Sequence, residues 1–198
     1  MLAPATQVLK LARHRAVVRP RDLVALGVPR SCLGRLVAAG RMERVGRGMY
    51  RLSGASITEH HSLAMAAARV PRGVVCLLSA LRYHELTTQA PFEVWLAIGN
   101  KARAPTVDDP PLRIVRMSGK ALTAGVAKHV LEGVTVLITD RARTVADCFK
   151  FRNKIGLDVA LEALRDFRRH RGNLDALWRH ARALRVANVL RPYLEAMA

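Results

Sequence analysis

The chain has 198 residues, half of them apolar, so it is long enough to bury one medium core or two small ones. It carries 33 Lys and Arg against 15 Asp and Glu, a net charge of +18, and that excess points to a polyanionic partner. No run approaches the roughly 18–20 apolar residues of a membrane helix, the first residues hold no apolar signal core, and Cys32, Cys76 and Cys148 are too far apart for a CxxC pair. A reduced cytoplasmic setting without membrane, metal or cofactor is the expectation. Arg greatly outnumbers Lys. Bidentate recognition of phosphate or guanine accounts for that, and so does codon bias in a GC-rich genome.

The first fifty residues predict helix, helix, helix, hairpin. Gln7 to His14 places Val8, Leu11 and Ala12 at helical spacing behind Thr6. Pro20 opens a second helix with Leu23, Val24 and Leu26, closed by Gly27. Pro29 opens a third, with Leu33, Leu36 and Val37 inward and Gly40 at its end. The short link between helices two and three is the spacing of a helix-turn-helix.

After Gly40 the period alternates. Met42, Val45, Met49, Tyr50 and Leu52 are apolar, and Gly46-Arg47-Gly48 lies between the two runs, which predicts a β-hairpin. A hairpin with a basic tip behind a helix-turn-helix is a wing. Residues 1–54 hold 11 basic and 2 acidic residues, a density of net charge nearly threefold that of the remainder.

Further on, a helix is expected over Thr58 to Arg69. Strands are expected over Val74 to Leu78, Phe92 to Ile98, Leu112 to Met117 and Val134 to Ile138. Helices follow over Arg141 to Phe151, from Leu157 to Arg168, from Leu174 to Leu184 and from Val189 to Met197. The expected class is α+β. A winged helix-turn-helix over 1–70 precedes an α/β domain over 71–198 that has a small sheet and a C-terminal helical bundle.

If Leu33, Leu36 and Val37 face the core, Arg30, Ser31, Gly34, Arg35 and Ala38 face outward. Arg30 and Arg35 would then meet bases or phosphates, with Ser31 beside them. Gly34 weakens a helix by about 1 kcal/mol against Ala, a cost that close approach to a duplex would explain. Arg44 and Arg47 would line the wing, and Arg19 and Arg21 are candidate phosphate anchors. In the last helices Arg165, Arg168 and Arg169 share one face and Arg179 and Arg182 another, which is either a second polyanion surface or a solvated basic one.

Catalysis finds little support. Asp108-Asp109 reads as turn chemistry. Asp140 reads as a helix cap and Asp147 as the i+4 partner of Arg143. Glu93 is followed by Val94 and Trp95, not by the acidic-x-Lys pattern of a nuclease, and His60-His61 lacks HExxH spacing.

Gly27-Val28-Pro29, Leu36 to Gly40, Arg47-Gly48-Met49-Tyr50-Arg51-Leu52, Cys76 to Leu81 with His84, and Asp140 to Phe149 followed by Phe151 to Gly156 together resemble the AbiEi-type antitoxins of type IV toxin–antitoxin systems. The resemblance implies two domains. The first is a winged helix that binds inverted repeats in double-stranded DNA, in the promoter of its own operon, as a transcriptional repressor. The second counters a nucleotidyltransferase-like toxin, often without a stable complex, and its expected surface is Arg165, Arg168, Arg169, Arg179 and Arg182. The alternative is a nuclease-type DNA-processing enzyme targeted by the winged helix.

Overall fold

A computed structural model describes residues 3–107 and 109–197. Asp108 of the expected Asp108-Asp109 turn lies outside them. The chain is α+β and divides into two compact units. One comprises residues 1–68 with 130–135, the other 69–129 with 136–198.

The first unit opens with α1 (Pro4–Ala12), which starts three residues before the expected Gln7 and uses Pro4 rather than Thr6 at its entrance. A 3-10 helix (Pro20–Leu26) follows, where an α-helix was expected. The Asp22 side chain accepts the Arg19 N–H at 2.8 Å and so caps it. Gly27 ends it at φ +63°, a left-handed position that glycine takes without steric cost. Helix α2 (Ser31–Ala38) comes next, and strands β1 (Met42–Gly46) and β2 (Met49–Leu52) form an antiparallel pair. Tyr50 also bridges to Val18, exchanging backbone hydrogen bonds of 2.8 and 3.0 Å. Helix α3 (His61–Arg69) is shorter than the expected 58–69.

Two apolar clusters hold this unit. Val8, Leu23, Val28, Leu33, Leu36 and Met42 form one. Ala16, Val17, Met49, Ala64, Met65 and Ala68 form the other, with Leu131 and Val134 packed against it. The expected boundary at 70/71 therefore needs correction, because residues 130–135 count with the first unit. The backbone adds to that packing: the Ala16 N–H donates to the Glu132 carbonyl at 2.8 Å.

A five-stranded sheet lies mostly in the second unit. Its strands are β3 (Val74–Val75), β4 (Val94–Gly99), β5 (Leu112–Met117), β6 (Val126–Leu131) and β7 (Val134–Thr139), in the order β5-β4-β3-β7-β6. β3 is antiparallel to β4 and parallel to β7, and β4 is parallel to β5. The expected strand Val74 to Leu78 stops at Val75. Cys76 is extended and Leu77 already begins α4 (Leu77–Tyr83), so Ser79 sits inside the helix, where its hydroxyl accepts the Trp95 N–H at 2.9 Å. Short helix α5 (Lys120–Thr123) and strand β6 were not anticipated.

The C-terminal helices fall near their expected places: α6 (Arg141–Lys150), α8 (Leu157–Arg169), α9 (Leu174–Ala183) and α10 (Ala187–Glu195), with a single turn, α7 (Arg152–Ile155), between the first two. Helix α6 is the centre of the core: Val145, Ala146, Cys148 and Phe149 are fully buried, and α4, α8 and α9 pack around it. Asp140 caps it as expected, accepting the Arg143 N–H at 2.7 Å.

Candidate nucleic-acid interface

Helix α2 is held by one side. Cys32, Leu33 and Leu36 are buried, and that choice of face exposes Arg30, Ser31, Gly34, Arg35 and Ala38, all five residues expected to point outward. A Cβ on Gly34 would meet nothing within 4 Å. The side chains of Arg30 and Arg35 make no hydrogen bond or ion pair among the described residues, so both are available to an outside partner.

The hairpin follows from alternation. Met42 and Met49 are buried, whereas Glu43, Arg44 and Arg47 are exposed. Glu43 and Arg51 face each other across the strands, and Arg51 donates from Nη2 at 2.7 Å and from Nε at 2.9 Å to one Glu43 oxygen. The register shifts between Arg44 and Gly46, and Arg47-Gly48 makes the turn. Arg44 donates from Nε to its neighbour Gly46 O at 3.3 Å. Arg47, at the tip, has no side-chain partner among the described residues.

Arg21 is exposed, but Arg19 is not an outward anchor. Its Nη2 donates to the Ala68 carbonyl and lies 3.8 Å from the Met49 sulfur. Burial, then the neighbouring Arg21 charge, lowers its pKa, with Asp22 opposing. Arg19 thus links the hairpin and α3 to the 3-10 helix. Nothing in its local spacing signalled this, because the acceptor is 49 residues away.

Sequence reasoning also missed Glu132. Its carboxylate accepts the Thr58 hydroxyl at 2.5 Å and the Thr58 N–H at 3.2 Å, and pairs with His61 Nδ1 at 2.7 Å. His61 Nε2 faces Arg51 Nη1 at 3.3 Å, so the base of the hairpin is tied into the same network. Burial alone would raise the Glu132 pKa, but the hydrogen bonds from Thr58 and His61 outweigh it and the net shift is downward.

In the second unit Arg165, Arg169, Arg179 and Arg182 are exposed. Arg168 departs from the expected surface: it is half-buried, and its Nη1 is enclosed without a hydrogen-bond partner among the described residues. Arg169 pairs with Asp166 at 3.1 Å. The two basic faces lie on α8 and α9, both packed on α6. Among the described residues no three His, Cys, Asp or Glu side chains converge as a metal site, and no helix is long and apolar enough to cross a membrane.

Residues 7–53 match the family model of a transcriptional regulator, the AbiEi antitoxins. Over this N-terminal segment the chain is similar to the AbiEi-type regulators. The matched span runs from α1 through β2 and contains Arg19, Arg21, Arg30, Ser31, Arg35, Arg44 and Arg47. The Asp140 to Gly156 segment, which carried much of the resemblance, lies outside it. Comparison with curated proteins returns no match.

Proposed function

We propose that the chain is a sequence-specific DNA-binding autorepressor and antitoxin. In this reading the N-terminal unit is a winged helix-turn-helix: α2 enters a major groove, and the β1–β2 hairpin is the wing, resting on flanking phosphates or a minor groove. The second unit counters a nucleotidyltransferase-like toxin, with Arg165, Arg169, Arg179 and Arg182 as its surface. The observation that carries the DNA reading is the exposed Arg30 at the N-cap of α2 and Arg35 within it, together with Arg47 at the hairpin tip, all three without a side-chain partner among the described residues. Three solvated guanidiniums on adjoining elements match the Arg contacts to phosphate that position a protein on a duplex.

The test is a mobility shift and footprint on the DNA upstream of the chain's own gene, at several salt concentrations. Roughly 6–10 phosphate contacts would weaken binding by about 10³–10⁵-fold between 50 and 200 mM salt. Arg47→Ala should lower affinity on every sequence and flatten the salt slope by about one unit, whereas Arg35→Ala should cost about 1–3 kcal/mol on the operator and much less on random DNA. A slope near zero, or equal affinity for operator and random DNA, would overturn the reading.

A further inference from the structure

The second unit contains a cleft of ≈ 330 Å³ that neither the DNA reading nor the toxin reading uses. It lies where the parallel strands β4 and β5 end, at Asn100 beyond Gly99 and at Met117-Ser118, and the Asn100 N–H donates to the Met117 carbonyl at 3.1 Å. Crevices outside the carboxyl ends of parallel strands are where open α/β sheets hold their ligands.

Besides Arg143, three cations line it: Arg116, Lys150 and Arg185. Arg116 is fixed in place, because its Nη1 donates to the carbonyls of Asn100 at 2.7 Å and Ala102 at 2.8 Å, with Gly99 at 3.3 Å. That leaves its Nη2 and Nε without partners among the described residues. Lys150 spends one donor on the Leu184 carbonyl at 3.3 Å. Arg185 is exposed and makes no side-chain bond among the described residues.

The deep wall is different. Arg143 and Asp147 line it as a buried pair, and every Arg143 nitrogen is engaged: Nε on Asp147 Oδ1, Nη1 on the Ala124 carbonyl, Nη2 on the Ala121 carbonyl. The other Asp147 oxygen, Oδ2, is enclosed and has no partner among the described residues. A buried carboxylate oxygen without a donor is costly, and a cleft residue in that state is poised to take one from a ligand.

We infer that this cleft binds a small phosphorylated ligand of mononucleotide size, its phosphate held by Arg116, Lys150 and Arg185 and a hydroxyl or amino group donated to Asp147 Oδ2. The volume is at the small end of ligand sites, which suits one nucleotide rather than a polymer. Guanidinium and ammonium groups on the rim select the phosphate, and the lone acceptor at depth selects what the phosphate is attached to.

The test is calorimetry on the full chain with AMP, ribose 5-phosphate and inorganic phosphate as probes. AMP or ribose 5-phosphate should bind with a Kd of about 1 mM or tighter. Inorganic phosphate should bind at least about tenfold more weakly. The double variant Lys150→Ala/Arg185→Ala changes only exposed residues and should weaken the sugar phosphates by about tenfold or more. Asp147→Asn should weaken them while leaving inorganic phosphate unchanged. No binding of any probe at ~10 mM, or binding indifferent to the double variant, would overturn the inference. So would inorganic phosphate binding as tightly as AMP, or a DNA fragment displacing the probes while the double variant loses DNA affinity.

Discussion

Arg143 and Asp147 stand one turn apart on α6 and form an ion pair of 2.9 Å buried in the wall of that cleft, with 2 % and 0 % of their side chains exposed. At the surface an i,i+4 pair of this kind is worth about 0.2–0.5 kcal/mol. Buried, it behaves differently, because removing one partner strands the other. Arg143 also anchors the chain that follows β5, through the carbonyls of Ala121 and Ala124. Arg143→Ala is therefore expected to destabilise the second unit by about 3–5 kcal/mol, measured by urea unfolding. Asp147→Asn leaves Arg143 without its counter-charge but keeps an acceptor for Nε and the bonds to the Ala121 and Ala124 carbonyls, so its loss should be clearly smaller. An equal loss in both variants would mean that shape and not charge holds this site.

The same pair sets a pH dependence. Burial pushes the Asp147 carboxyl up to about 6, with Arg143 opposing. The folded state then holds a proton that the unfolded state releases near 3.8, so stability falls as pH rises from about 4 through 6. Against Asp147→Asn, the native chain should lose up to about 3 kcal/mol across that window. A flat difference between the two would show that Asp147 ionises as easily folded as unfolded.

How much of this was legible follows from range. The α2 face, the hairpin, strand β5 and the caps of α6 depend on neighbours within a few residues, and the apolar period of Leu33 and Leu36 or the alternation of Met42 and Met49 shows in the chain. Arg143 and Asp147 were visible as a pair too, but their burial was not, because it depends on the chain after β5 and on α8 and α9. Arg19 read as an outward anchor because its acceptor, the Ala68 carbonyl, carries no side-chain signal. The boundary at residue 70 ignored 130–135 because a turn sixty residues downstream leaves no local trace in the segment that it completes. Val74 to Leu78 looked like one strand because a buried strand and the buried start of a helix are both apolar runs.

Gly34 separates binding from stability. A Cβ there meets nothing within 4 Å, so Gly34→Ala should stabilise the N-terminal unit by up to about 1 kcal/mol. If α2 lies against a duplex at this position, the same variant should bind operator DNA more weakly. The two readouts are a thermal melt and a mobility shift. Higher stability with unchanged affinity would remove Gly34 from the interface.

Glu132 carries the opposite pH sign to Asp147. Its pKa is held below the ordinary value of 4.5, so its stabilising bonds are present above that pH and are lost as pH falls through the depressed folded value. Glu132→Ala strands the Thr58 N–H and hydroxyl and the His61 ring, at an expected cost of about 1–3 kcal/mol. Hydrogen exchange on the full chain should show the loss in α3 and the hairpin, and not in α6. Uniform exchange across both units would mean that residues 130–135 do not stabilise the first unit selectively.

The two proposed activities should separate by point substitution, because their residues lie in different units. Arg35→Ala/Arg47→Ala removes exposed side chains that make no hydrogen bond or ion pair among the described residues, so the chain should fold normally and lose promoter repression. It should still rescue growth of cells that express the cognate toxin, supplied from a promoter that this protein does not control. The converse variant replaces Arg165, Arg169, Arg179 and Arg182 with Ala. Arg168 is left in place because it is half-buried and its loss would confuse stability with function. That variant should bind and repress the operator as the native chain does and fail to rescue growth, with its level checked by immunoblot. Failure of the Arg35/Arg47 variant to rescue would mean that DNA binding itself carries the antitoxicity, and the assignment of that role to the second unit would fall. Full rescue by the four-arginine variant would leave the second unit's role standing but move it off α8 and α9.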